Sequence, residues 1–159
     1  MSEIDISADD TAVLITDPQV DFLKPESVVW DKVGETVEEN AVVDKIRRLR
    51  DAAKDGDVPV FYSPHEYEDG EYDSWEHLNT IDQIMFDTRM FDTAGDGADF
   101  VPELEPDDNT FVLSPHKQLS GFWSNDVQIQ LRQRGIDTIV LAGMSANLCV
   151  ESHLRDAVE

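Results

Sequence analysis

Three residues able to do covalent chemistry stand just past three short apolar runs: Asp17 after TAVLIT, Lys117 after NTFVLS and Cys149 after IVLAG. Cysteine attacks as the thiolate, and its pKa, ordinarily about 8.5, falls at a helix N-terminus and beside a cation. Gly143 to Asn147 lead Cys149 into the first turn of a predicted helix, where orphan N–H groups would face the sulfur, and Lys117 is the available cation. Asp17 is suited to take the thiol proton and return it to a leaving nitrogen or oxygen, and backbone N–H groups at Ser145 and Cys149 offer an oxyanion hole. Taken singly, each residue has a plainer reading. Asp17 initiates a turn before Pro18, Lys117 is a solvated loop residue, and Cys149 is a small buried hydrophobe. Their joint placement favours chemistry.

The elements that must position them follow from hydrophobic patterning. TAVLIT (Thr11 to Thr16) is a β-branched apolar run that stops at Asp17-Pro18, the mark of a buried strand. From Val37 to Lys54 the apolar positions Val37, Ala41, Val42, Ile46, Leu49 and Ala53 recur at helical spacing, and Gly56 ends the helix. Val58 to Ser63 is a second strand with Pro59 at its start. Residues 64–109 read as acidic loops around one helical segment carrying Leu78, Ile81 and Met85, an insertion expected to cover something. Asn109 to Ser114 is a third strand, and a helix from about Asn125 to Arg134 ends at Gly135. Ile139 to Ala142 is a fourth strand, running into a helix with Leu148, Leu154, Ala157 and Val158. Strands and helices alternate and no hairpin turn joins two strands. The expected fold is α/β, a doubly wound three-layer α-β-α domain over residues 1–159 with a mainly parallel sheet. In such sheets ligands bind beyond the carboxyl ends of the strands, where strand order reverses.

Composition sets the boundaries. The 159 residues carry 12 Lys+Arg against 35 Asp+Glu, a formal charge of −23, with 40% hydrophobic residues, enough for one compact core. The single cysteine excludes an intrachain disulfide and a four-cysteine zinc site, and suits a reducing compartment. No apolar run approaches the roughly 20 residues of a membrane span. The acidic start MSEIDISADD is unlike a signal peptide, so a cytoplasmic protein is expected. A surface this negative repels phosphate backbones and anionic lipid, which argues against nucleic-acid and membrane partners. It is best tolerated in a halophilic cytosol, where molar salt shortens the Debye length to about 3 Å.

Three segments carry a family resemblance. AVLITDPQVDF (Ala12 to Phe22), PHKQLSGF (Pro115 to Phe122) and LAGMSANLCVESHLRDA (Leu141 to Ala157) resemble the signature segments of the isochorismatase-like cysteine hydrolases, which include nicotinamidases and N-carbamoyl amidohydrolases. The resemblance implies a triad of Asp17, Lys117 and Cys149, a cis peptide between Met144 and Ser145, and a homodimer or larger assembly acting on a small molecule without a cofactor. The implied reaction is cleavage of an amide- or ureide-type C–N bond through a Cys149 thioester. The alternatives are vinyl-ether hydrolysis using Asp17 without a covalent intermediate, and a non-enzymatic acidic interaction domain.

There are also departures from the family pattern. The Asp-x-His pair with which nicotinamidases hold a metal is absent from SPHEYEDGEYDSWEHLN. His65, Glu66 and His77 are the residues there that could hold one, but a solvated acidic loop is the preferred reading and no metal is assigned. FDTAGDGADFVPEL loosely resembles the family's Gly-rich loop near the pocket. His116 is read as a loop histidine bonded to backbone that could orient Lys117. His153, one turn beyond Cys149, lies behind the thiol, so Asp17 is the preferred base. Phe22 and Trp123 are the expected substrate contacts. Family members normally continue into a final strand and helix that complete a six-stranded sheet. A C-terminally truncated domain, or a partner over the open edge, is therefore expected.

Overall fold

The computed structural model describes residues 6–158; residues 1–5, part of the segment weighed against a signal peptide, and residue 159 lie outside it. Four parallel strands, β1 (Thr11–Thr16), β2 (Val60–Ser63), β3 (Thr110–Val112) and β4 (Thr138–Gly143), form one sheet in the order β3-β2-β1-β4. Strand order reverses at β1, which pairs with β2 on one side (Thr16 opposite Ser63) and β4 on the other (Thr16 opposite Gly143). Every residue of β1 is buried, as its uninterrupted apolar run requires of a central parallel strand.

The pleat sends alternate β1 residues into two cores. Val13 and Ile15 join Val37, Ile46, Ala53 and Met85 on one face, while Ala12 and Leu14 join Val127, Leu131 and Ile136 on the other. The helices are α1 (Val20–Leu23), α2 (Trp30–Glu39), α3 (Val42–Asp55), α4 (Asp69–Ser74), α5 (Thr80–Asp87), α6 (Gly121–Ser124), α7 (Val127–Gln133) and α8 (Glu151–Ala157), with a 3-10 turn at Pro102–Leu104. This is the expected doubly wound α-β-α arrangement. Among the described residues the sheet has four strands, with β4 on its edge.

Two elements differ from the sequence expectation. The single helix expected over Val37 to Lys54 is split into α2 and α3 by Ala41, whose φ of 48° is left-handed. Asn40 closes α2 by donating its side-chain amide to the Thr36 carbonyl at 2.9 Å, and the break lets Val37 and Ile46 reach one core from two helices. Within 64–109 there are two helices where one was expected, and Leu78 precedes α5 instead of lying on it. Asn79 caps α5, its Oδ1 accepting from the main-chain N–H of Ile81 at 2.8 Å and of Asp82 at 3.0 Å. Asn79→Ala is expected to lower unfolding stability by about 1 kcal/mol, read as a shifted urea midpoint with an unchanged slope.

At the carboxyl end of β4 the chain approaches β1 too closely for a side chain. Gly143 has φ 123°, and a Cβ there would run into the Thr16 carbonyl oxygen. The approach lets Met144 N–H donate to Thr16 O at 3.0 Å and delivers the following turn to Asp17.

Candidate active site

Asp17, His65, His116 and Cys149 all lie beyond the carboxyl ends of the strands, at the reversal of strand order. Asp17 follows β1 with φ 49°, its N–H donating to the Ser63 carbonyl at 3.0 Å, and its side chain is fully buried. The partner of its carboxylate is His116, equally buried, with Nε2 2.9 Å from Asp17 Oδ1. His116 Nδ1 bonds the Gln118 carbonyl. A carbonyl only accepts, so Nδ1 carries a hydrogen, and an ionised Oδ1 also only accepts. The Nε2–Oδ1 contact therefore holds one further proton, giving either imidazolium beside carboxylate or neutral imidazole beside carboxylic acid. Both forms leave the buried pair without net charge, which avoids the large cost of burying a lone carboxylate.

Lys117, expected to stand beside Asp17 and Cys149, faces elsewhere. Its Nζ donates to Glu71 Oε2 at 2.6 Å and to the Glu66 carbonyl at 2.8 Å. The cause is strand alternation. His116 pairs with His65 in a parallel bridge and turns its ring inward, so the next residue along the extended chain turns outward. Glu71 meets the Lys117 ammonium while its carboxylate also accepts from Glu68 N–H at 2.9 Å in the α4 capping box. His116, read from sequence as a loop histidine, thus holds the place expected of Lys117.

Cys149 lies in a π-helical turn, Ala146–Val150, that leads into α8. The peptide between Met144 and Ser145 is cis, as the resemblance implied. Burial pushes the Cys149 thiol well up from the ordinary cysteine value, and Asp17 adds to the rise as a negative charge and as an acceptor for the S–H. The main-chain N–H groups of Ser145 and Cys149 oppose this, favouring negative charge at the sulfur. The sequence reading expected a depressed pKa; with Lys117 turned away, desolvation decides the sign.

His153 is committed to structure. Gly121 N–H donates to its Nε2 at 2.9 Å, so Nδ1 bears the hydrogen that goes to the Cys149 carbonyl at 2.8 Å. The carboxylate beside the thiol is that of Asp17.

A pocket of about 320 Å³ opens over the sulfur, lined by Phe22, Val29, Met85, Phe91, Leu119 and Cys149, with Ser145 at its edge. Of the two expected substrate contacts, Phe22 is in this lining. Trp123 is not: it is 81% exposed on α6 and does not line this pocket, because the short helix turns the ring outward from the sheet. Residues 64–109 do cover the site, through α5 and the turn that carries Phe91. Asp21 Oδ2 anchors that turn by accepting from Phe91 N–H at 2.6 Å. Gln19, not singled out from sequence, brackets His65: its Oε1 accepts from His65 N–H at 2.8 Å and its Nε2 donates to the His65 carbonyl at 2.8 Å. The suggested metal set of His65, Glu66 and His77 is not assembled. His65 is fully buried, His77 is exposed, and the cluster of ligand atoms found among the described residues is instead Asp17, His65 and His116.

A doubly wound sheet with a buried cysteine and aspartate across its reversal point defines an isochorismatase-type α/β domain. Residues 11–159 match the model of the isochorismatase domain family, and the chain belongs to that family. It is 28% identical to ureidoacrylate amidohydrolase RutB of Stutzerimonas stutzeri (strain A1501) over 163 aligned positions, 95% of this chain and 65% of that protein. A 64-residue stretch, 40% of this chain and 33% of the other, is 44% identical to the uncharacterized isochorismatase family protein YwoC of Bacillus subtilis (strain 168). The chain thus spans less than two thirds of the length of either relative. Among solved structures, a cysteine hydrolase from Pseudomonas syringae pv. phaseolicola 1448A superposes with a TM-score of 0.80 at 25% identity, covering 99% of this chain and 72% of that one. N-carbamoylsarcosine amidase from Thermoplasma acidophilum shares the fold, with a TM-score of 0.70 at 23% identity over 93% of this chain and 75% of its own. No helix among the described residues is long and apolar enough to cross a membrane.

Proposed function

We propose that this domain is a cysteine hydrolase that cleaves an amide- or ureide-type C–N bond of a small, partly apolar molecule through a Cys149 thioester. The observation that carries the reading is the surrounding of one sulfur. Cys149 opens into an apolar pocket, Asp17 stands ready to accept its proton, and the N–H groups of Ser145 and Cys149 favour negative charge there. In the reaction the S–H proton passes to the Asp17 carboxylate as sulfur bonds the carbonyl carbon. The oxyanion that forms takes the N–H groups of Ser145 and Cys149. When the C–N bond breaks, the proton goes from Asp17 to the departing nitrogen, leaving a thioester. Water then adds to the thioester carbon, losing a proton to Asp17, and the returned thiol takes one back. With the shared proton on Nε2, His116 is the cation beside Asp17, in the triad place that the resemblance gave to Lys117.

The thiol of the free protein is expected to resist iodoacetamide through neutral pH. Its folded pKa lies above the ordinary value, so the thiolate, and with it the alkylation rate, rises only at a higher pH than for a cysteine peptide. Alkylation followed by intact mass across pH reads this directly. The test of the function is a screen of amides and ureides with acid-quenched mass spectrometry. A substrate-derived mass on Cys149 supports the reading, whereas turnover that survives Cys149→Ala and is lost in Asp17→Asn points to vinyl-ether chemistry instead.

A further inference from the structure

We infer that Asp17, His65 and His116 form a binding site for a borderline divalent transition metal such as zinc or cobalt, whose occupancy shuts off the cysteine chemistry. One ligand atom from each of the three residues lies within 4.8 Å of the others, and all three side chains are fully buried. Neither ring nitrogen of His65 has a hydrogen bond of normal geometry, and Asp17 Oδ2 receives none from an N–H or O–H group. The Lys117 carbonyl beside His65 already accepts from the Tyr67 hydroxyl at 2.8 Å. Leaving a buried polar atom unsatisfied costs about 1–3 kcal/mol, so this cluster asks for an occupant.

The chemistry of the donors selects the occupant. Two imidazoles and one carboxylate suit zinc, cobalt or nickel, whereas magnesium and calcium require oxygen-rich shells. The His65 ring is also held in place. It stacks on Phe91 at 4.7 Å with an interplanar angle of 11°, while Gln19 bonds both its N–H and its carbonyl. His65 and His116 are side by side, with ring centroids 4.5 Å apart, and the donor atoms, within 4.8 Å of one another, would close to about 3.4 Å around tetrahedral zinc. A metal taking His116 Nε2 and the Asp17 carboxylate displaces the proton they share, which leaves to solvent. His65 and Cys149 both line the pocket, so a metal held by His65 would lie close to the sulfur. With Asp17 committed as a ligand, the thiol proton has no acceptor.

Binding is independent of the proposed hydrolase activity; only the inhibition rests on it. The test is equilibrium dialysis of chelator-stripped protein against zinc, with excess magnesium present to occupy the acidic surface, followed by metal analysis. One equivalent is expected in wild type, Cys149→Ala and His77→Ala, with at least about tenfold weaker retention in His65→Phe and His116→Gln once circular dichroism shows them folded. The cobalt derivative of wild type gives a second reading that needs no variant: strong visible absorption from four-coordinate N₂O ligation. Weak octahedral absorption, no retained zinc, zinc held equally by His65→Phe, or zinc lost in Cys149→Ala would each overturn the site. If an amide substrate is found, zinc is expected to lower turnover at least tenfold and chelator to restore it. Full activity of protein shown to hold one zinc would overturn the inhibition and leave the site standing.

Discussion

Cys149→Ala is expected to remove turnover by at least about 10⁴-fold, with little change in substrate affinity. In the proposed reaction the sulfur, part of the pocket lining, bonds the carbonyl carbon while the N–H groups of Ser145 and Cys149 favour the charge that develops. Deleting a nucleophile leaves only binding and the oxyanion hole, and these retain a small part of the rate. Cys149→Ser keeps the geometry and is expected to fail nearly as completely, because a hydroxyl gives up its proton to a carboxylate far less readily than a thiol. Initial rates with equal substrate dissociation constants in variant and wild type would confirm that chemistry, not binding, was lost. Stability should change little, since the side chain is small and its neighbours stay in place.

The second large effect separates two adjacent residues. His116→Ala is expected to lower kcat by about 10²–10⁴-fold, whereas Lys117→Ala should change it by no more than about threefold. His116 shares a proton with Asp17 across 2.9 Å, and removing it leaves a fully buried carboxylate without its cationic partner. Without that partner Asp17 is a poorer acceptor for the thiol proton. Lys117 bonds Glu71 and the Glu66 carbonyl at the rim, partly exposed, where an ion pair contributes little. His116→Lys, which returns a cation to Asp17, should recover more activity than His116→Ala. A large kcat loss in Lys117→Ala with an active His116→Ala would instead restore the triad that the resemblance implied.

The contrast between those two residues marks how far a sequence reaches. The four strands, the helices between them and the parallel order are legible because each is written in local patterning. An apolar β-branched run such as TAVLIT must be buried on both faces, and such runs separated by amphipathic helices pack as a doubly wound sheet. Asp17 and Cys149 are legible for the same reason, since ends of parallel strands share one edge wherever the strands lie. The break at Ala41 was hidden, because periodicity reports the stripe and not the left-handed residue that interrupts it.

Which of His116 and Lys117 faces Asp17 depends on the parity of an extended segment past β3, fixed only when His116 pairs with His65 from a distant strand end. One signal did exist: of two adjacent residues in extended chain only one can face the site, and histidine is buried at lower cost than lysine. The thiol pKa, the outward turn of Trp123 and the gathering of His65 with Asp17 and His116 likewise follow from burial and long-range contact. The sequence by itself determined the strands, their order and the shared sheet edge to which Asp17 and Cys149 belong. Tertiary structure decided which neighbours those side chains meet, because electrostatics and desolvation act through space over a few ångströms and do not follow separation along the chain.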